Sequence, residues 1–303
     1  MYKAGGDGIP VSGQGFINAD SRFIVDVCVN VFYGEGIPFM NRMTEMIYVY
    51  AGFLLTAAVI YFLLIFPTQW LKVERIRCNQ HLGIKVLQIS DLHVEKLRIR
   101  PGRISRVIHE EQPDYLVLTG DFTRKSMHLN KVRRYAEAIG SHGIPAFAVL
   151  GNHDHRLRRE ELQELVEILE QAGIRVLCNE SVNTGSFYIV GIDDYDSNKS
   201  RVSKAFRHVT DRTKPVVVLT HDPNLVLAMK RKYTYLMAGH FHGMQFNIPF
   251  LFRFIDKGPL AASGIYKGLH TGAGGMFYIS RGIGQAGPNA RFLICSEVNV
   301  HEL

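Results

Sequence analysis

AVLGNHDHRL, residues 148–157, runs from an apolar strand straight into a cluster of polar side chains. An apolar run of Ala148, Val149 and Leu150 stops at Gly151, and Asn152, His153, Asp154 and His155 follow without a spacer. A surface turn accounts for one or two of these residue types. An amide, two imidazoles and a carboxylate packed at the end of a buried strand point to a site.

The same punctuation recurs along the chain. KVLQIS (85–90) and DYLVLTG (114–120) read as buried strands, as do PAFAVLG (145–151) and VVVLT (216–220). The first leads into Asp91 and His93, the second into Asp121, and the fourth into His221. YTYLMAG then precedes His240 and His242. Between the strands, GRISRVIHEEQ, NKVRRYAEAIG and EELQELVEILEQAG read as helices. The last carries Leu162, Leu165, Val166 and Leu169 on one stripe, with Gly173 as its stop. Alternation of this kind predicts an α/β domain. Later segments, SFYIVGID, YTYLMAG, MFYISRG and ARFLICSEVNV, predict a second sheet packed on the first.

In open α/β sheets, ligands collect beyond the carboxyl ends of strands, where all of these polar clusters fall. Carboxylate, imidazole and amide oxygen are donors for hard-to-borderline divalent ions such as Mn, Fe and Zn. Asp91, His93, Asp121, Asn152, His221, His240 and His242 are seven candidates, too many for one tetrahedral ion. Two divalent ions roughly 3.5–4 Å apart would use them. Each residue taken alone has a plainer reading. Asp91 and Asp121 serve as helix N-caps, His221 as a turn residue, and His240 and His242 as alternate positions on one strand face. The joint order of the clusters is what favours a metal centre.

Taken in order, the blocks D-x-H, G-D, G-N-H-D, H and G-H-x-H resemble the signature of the calcineurin-like metallophosphoesterase superfamily. The resemblance implies a four-layer αββα sandwich over residues 72–303. It implies Asp91, His93 and His242 as ligands of a first metal, Asn152, His221 and His240 as ligands of a second, and Asp121 as the bridge. It further implies His153 as the catalytic histidine, with Asp154 orienting its ring, and attack on a phosphoester by a metal-bridging hydroxide. His155 has no counterpart and is expected to be exposed. GDFTRKSMHL departs from the arginine motif of the protein Ser/Thr phosphatases. A closer likeness is to the membrane-associated bacterial branch, through GHFHGMQFNIPFLF and YISRGIGQAG, although CSEV departs from it near the end. Some members of that branch cleave the pyrophosphate of UDP-2,3-diacylglucosamine, so a phosphodiester or pyrophosphate, lipid-linked or not, is the implied substrate.

Residues 47–66, IYVYAGFLLTAAVIYFLLIF, carry no charge and at ~1.5 Å per residue reach about one hydrocarbon core. They predict a single membrane span, preceded by a tail over residues 1–46 with little pattern beyond RFIVDVCVNVFY. Lys72, Arg75, Arg77 and Lys85 follow the span and only Arg42 closely precedes it, which favours a cytoplasmic catalytic domain at the cell membrane. Cys28, Cys78, Cys178 and Cys295 form no CxxC pair and suit a reducing compartment.

The net charge of +7 fits an anionic partner. Arg98, Arg100, Arg103 and Arg106 suit anionic headgroups, Arg156 in RLRR a substrate phosphate, and the aromatic FNIPFLFRFI (246–255) an acyl groove. Each has a plainer reading as a solvated face or a core segment. A nuclease would use the same basic surface, but no aromatic-interleaved basic groove is present and an anchor argues against nucleic acid. A metal-poor scaffold on this fold would be expected to have lost ligands, and every ligand position is filled.

Overall fold

The computed structural model describes residues 39–248 and 256–303. The tail through residue 38, including RFIVDVCVNVFY, and most of FNIPFLFRFI lie outside them. The described residues fall into two units that divide between Ala57 and Ala58.

A helix Phe39–Ile60 continues through a π-helical turn, Tyr61–Ile65, and a last turn, Phe66–Gln69. Within it, Asn41–Gln69 is long and apolar enough to cross a membrane, with a mean hydropathy of 2.4 over its most apolar window. The helix begins earlier than the expected 47–66, because residues 39–46 contain no Gly or Pro to stop it. Pro67 lacks an N–H and its ring crowds the carbonyl four residues back. The wider turn Tyr61–Ile65 falls on that carbonyl, so the chain accommodates the proline without breaking the helix.

In the second unit two six-stranded sheets stack. The first has the order β1 (Leu71–Arg77), β12 (Ser296–Glu302), β2 (Lys85–Ile89), β3 (Tyr115–Thr119), β4 (Ala146–Val149), β5 (Ile174–Val176). The second runs β10 (Gly268–Thr271), β11 (Met276–Ile279), β9 (Tyr235–Ala238), β8 (Val216–Leu219), β7 (Tyr188–Gly191), β6 (Glu180–Asn183). Strands β2 to β5 are parallel, as are β7, β8, β9 and β11.

The period of two along each strand separates the layers. On β3, Leu116 and Leu118 face the helices Pro101–Glu111, Leu129–Gly140 and Arg159–Gln171. Val117 faces the other way, into a core shared with Val217, Leu219, Tyr235 and Met237 of the second sheet. Short helical turns, Val202–Ala205, Leu225–Ala228 and Pro259–Ala262, cover the far side of that sheet around Val218, Leu236 and Phe277. The result is the expected αββα sandwich.

Two expectations are corrected, and the basic residues after the span acquire partners. ARFLICSEVNV forms a strand only from Ser296, and that strand joins the first sheet, antiparallel to β2. The preceding residues wrap instead around Arg291, whose guanidinium is fully buried. Lys72, Arg75 and Arg77 lie on β1, where each has a carboxylate partner: Glu74, Glu111 and Glu302 respectively. His240 and His242 do not alternate along a strand. They follow β9 in a loop and a 3-10 turn, His242–Met244, at Gly239 and Gly243.

Candidate metal centre

Five strands of the two sheets, β2, β3, β4, β8 and β9, end at one edge of the sandwich, and the loops after them bring the candidate ligands together. Two groups of donor atoms result: Asp91, His93, Asp121 and His242, and Asp121, His221 and His240. Within each, the donor atoms lie within 4.8 Å of one another, and all are buried. Asp121 belongs to both. Its Oδ2 lies 3.3 Å from His93 Nε2 and 3.2 Å from His221 Nε2.

The tautomers show that these atoms suit a cation. His221 Nδ1 donates to the Thr119 carbonyl at 2.7 Å, and His242 Nδ1 to the Gly284 carbonyl at 3.2 Å. A carbonyl only accepts, so each neutral ring keeps its Nε2 lone pair free and aimed at the site. There His242 Nε2 faces Asp91 Oδ1 at 3.3 Å, and His221 Nε2 faces Asp121 Oδ2 at 3.2 Å. Acceptor facing acceptor in a buried site is unfavourable without a positive charge between them. Asn152 Oδ1 is likewise buried without a hydrogen-bond partner, while its Nδ2 donates to Asp196 at 2.9 Å. This donor set of carboxylate, imidazole and amide oxygen fits divalent metal.

The Asp121 carboxylate favours positive charge at the imidazoles beside it. Burial alone would raise the Asp121 pKa, but the His221 and His93 imidazoles overcome it and hold the carboxyl well below its usual range. Burial likewise opposes charge on His221, yet the Asp121 carboxylate raises its pKa well above the ordinary value. Burial and neighbouring positive groups hold His240 and His242 well below theirs.

Five of the candidate ligands occupy the left-handed region, with φ of 56° at Asp91, 40° at His93, 58° at Asp121, 71° at His240 and 52° at His242. Such conformations cost about 1–3 kcal/mol each and cluster where surroundings over-determine them. Here the Ser90 hydroxyl and the His240 N–H both donate to the Asp91 carboxylate. Glycine is needed for the close approach. A Cβ on Gly239 would collide with Ser90 Oγ and Asp91 Oδ2, and one on Gly151 with Asp121 Oδ1.

His153 stands beside the cluster, its ring edge-on to His93 with centroids 4.7 Å apart. Burial lowers its pKa to about 4. Asp154 does not orient that ring. Its Oδ1 accepts the N–H groups of Phe122 and Thr123, and its Oδ2 those of Asp121 and Gly151. His153 Nδ1 has no hydrogen-bond partner among the described residues. The backbone turns into a 3-10 segment at Asp154–Arg156, which sends the two side chains apart. Asp154 therefore staples the Asp121 loop to the Asn152 loop. His155 is not exposed as expected: Nε2 lies 2.6 Å from Asp193 Oδ1.

Sequence reasoning missed Arg291. Its Nη2 donates to the carbonyls of Arg281, Gly282 and Gly284, and its Nη1 to that of Cys295. Recognition of backbone carbonyls leaves no pattern of residue types to read. Arg98 was grouped with exposed basic residues, but its Nη1 reaches Thr68 Oγ1, the Asn289 carbonyl and Asn289 Oδ1, each at 2.8 Å. Arg100, Arg103 and Arg106 are exposed. Arg156 lines a cleft of about 630 Å³ that opens on Asn152 and His240.

The family model for calcineurin-like phosphoesterases matches residues 84–244, the span that holds every candidate ligand. The metallophosphoesterase YkoQ of Bacillus subtilis is 35% identical over 251 residues, covering 78% of this chain and 92% of YkoQ. Phosphodiesterase YaeI of Escherichia coli is 27% identical, covering 66% of this chain and 75% of its own length. The UDP-2,3-diacylglucosamine pyrophosphatase LpxG of Chlamydia muridarum is also 27% identical, covering 55% of this chain and 66% of LpxG. With a sandwich that delivers buried carboxylates and imidazoles to one edge, and with these relatives, the chain belongs to the calcineurin-like phosphoesterase family of metal-dependent hydrolases.

Proposed function

We propose that this protein is a membrane-anchored phosphoesterase that uses two divalent ions (Mn, Fe or Zn) to hydrolyse a phosphodiester or pyrophosphate. The observation that carries the dinuclear reading is Asp121 Oδ2, one oxygen within 3.3 Å of imidazole nitrogens from both ligand groups. Asp91, His93 and His242 would hold one ion, and Asn152, His221 and His240 the other, with Asp121 between them. A pair of such ions supplies Lewis acidity and lowers the pKa of water at neutral pH.

The protein's own residues do the rest. The Thr119 and Gly284 carbonyls accept from Nδ1 of His221 and His242, so in the neutral rings Nε2 carries the lone pair that would bind an ion. Asp154 fixes two ligand loops against each other through four amides. His153, outside both ligand groups, stabilises charge on the phosphoryl oxygens or protonates the leaving oxygen. Arg156 contacts the substrate from the cleft.

The apolar helix Asn41–Gln69 supports the anchor. Together with the likeness to LpxG, it favours a lipid-linked substrate met at the membrane surface. The flanking basic residues favour a cytoplasmic domain. Hydrolysis of bis-p-nitrophenyl phosphate by the full chain in detergent, with manganese and after chelation, tests the reaction class. Turnover that requires manganese supports it, and metal-independent turnover contradicts it.

A further inference from the structure

Both groups of donor atoms straddle the two sheets. In one, Asp91, His93 and Asp121 follow strands of the first sheet, while His242 follows β9 of the second. In the other, Asp121 comes from the first sheet, and His221 and His240 from the second. The separation of the sheets at this edge therefore sets the separation of the donors. Apolar packing between the layers fixes it only loosely, because the hydrophobic effect has no direction.

Directed hydrogen bonds cross the same core. Tyr235 on β9 donates its hydroxyl to His301 Nδ1 on β12 at 3.0 Å, and the Asn299 amide on β12 donates to the Tyr278 hydroxyl on β11, also at 3.0 Å. Gln88 on β2, fully buried, extends this polar seam to the strand ends. Its Nε2 donates to the Thr119 hydroxyl at 2.9 Å and to the Ala238 carbonyl at 3.0 Å, and its Oε1 accepts from His301 Nε2 at 3.0 Å. Turned over, the amide would set its oxygen against the Ala238 carbonyl, acceptor facing acceptor in a buried site.

The two residues that Gln88 holds stand directly before ligand loops. Thr119 ends β3, with only Gly120 between it and Asp121, and Ala238 ends β9, with only Gly239 before His240. The Thr119 carbonyl also takes His221 Nδ1 at 2.7 Å. One amide thus joins a strand end of each sheet, and both ends lead into the group formed by Asp121, His221 and His240. We infer that Gln88 is a positioning residue for the metal centre: through Thr119 and Ala238 it holds the sheets at the separation that lets Asp121 and His240 share an ion. The inference rests on the metal reading above and adds to it a residue outside both ligand groups. A fully bonded buried network of this kind rigidifies what it joins. His301 supports the Gln88 oxygen from behind, so its loss leaves both Nε2 contacts in place.

Manganese titration of the full chain in detergent, read beside the thermal midpoint, separates positioning from plain stability. Gln88→Met removes the donors with little change in length, and Thr119→Val replaces one acceptor by a methyl group. Each is expected to weaken manganese binding by about 10–100-fold, the usual loss for a group that orients a ligand. Thr119→Ser, which keeps the hydroxyl, should bind manganese as tightly as wild type. So should His301→Phe, although it melts earlier. Wild-type affinity in Gln88→Met and Thr119→Val would overturn the inference. It would also fall if His301→Phe lost manganese as fully as they do, since affinity would then follow stability alone. If Gln88→Met does not fold, the two Thr119 variants decide, and equal affinities overturn the inference. A wild-type chain that binds no manganese removes the metal reading and this inference with it, whereas variants that match a manganese-binding wild type remove this inference alone.

Discussion

His242 and Arg291 share one acceptor: the Gly284 carbonyl takes His242 Nδ1 at 3.2 Å and Arg291 Nη2 at 2.5 Å. The backbone N–H of Arg291 donates in turn to the Leu64 carbonyl, in the last part of the apolar helix. Arg98 ties the same helix end to Asn289, and the Ser296 hydroxyl adds a longer contact to the Thr68 carbonyl. A continuous set of hydrogen bonds therefore runs from the foot of the helix to a candidate metal ligand.

Arg291→Lys keeps a positive charge but cannot supply several carbonyls at once. Metal affinity is expected to fall about 10–100-fold, the usual effect of removing a group that orients a ligand. Manganese titration of the purified chain measures it. An Arg291→Lys variant that melts earlier but binds manganese as tightly as wild type would reduce Arg291 to a purely structural role.

His153 and Asp154 separate in a pair of variants. His153→Ala should cut turnover by about 10²–10⁴-fold with metal content unchanged. Asp154→Asn places an NH2 group against amide N–H donors and should destabilise the fold by about 1–3 kcal/mol for each amide left unpaired. Urea unfolding reads the second effect. Normal stability with lost turnover in Asp154→Asn would restore it as an orienting group for His153.

Acid stability carries the mark of His301. The ring is fully buried between Tyr235 and Gln88, and burial lowers its pKa to about 3, against about 6.5 when unfolded. The unfolded chain therefore binds a proton that the folded chain refuses. Stability is complete above the unfolded value and falls as pH drops from about 6.5 toward 3, by up to about 1.4 kcal/mol per pH unit. His301→Gln removes the titrating group, so its unfolding free energy should vary less steeply with pH across that window. Parallel slopes for the two proteins would show that His301 is protonated in the fold.

Anchoring is read by fractionation. If Asn41–Gln69 crosses a membrane, the full chain stays in the membrane pellet through an alkaline carbonate wash and leaves it only in detergent. Recovery in the carbonate supernatant would show a surface-bound or soluble protein.

The loops that carry the candidate ligands were legible because ligation demands particular side chains at strand ends, and buried strands announce themselves by apolar runs. Asp91, Asp121 and His221 could be placed without seeing the fold. The edge of the first sheet could not. Strand β1 has an irregular burial pattern and reads as a charged flank of the span, while β12 pairs across more than 200 positions of sequence with β2. Asp154 misled for a related reason. A carboxylate next to a histidine suggests a dyad, but its partners are backbone amides, which are the same at every residue. Arg291 was silent on the same ground, since what it binds is backbone carbonyls.

The dinuclear centre itself stands or falls on metal content. Wild-type chain dialysed against manganese and assayed for bound metal is expected to hold two ions, and Asp121→Asn, which weakens the shared ligand, is expected to hold fewer and to lose manganese-dependent hydrolysis. One ion or none in the wild type, or two ions and full turnover in Asp121→Asn, would contradict a centre bridged by Asp121.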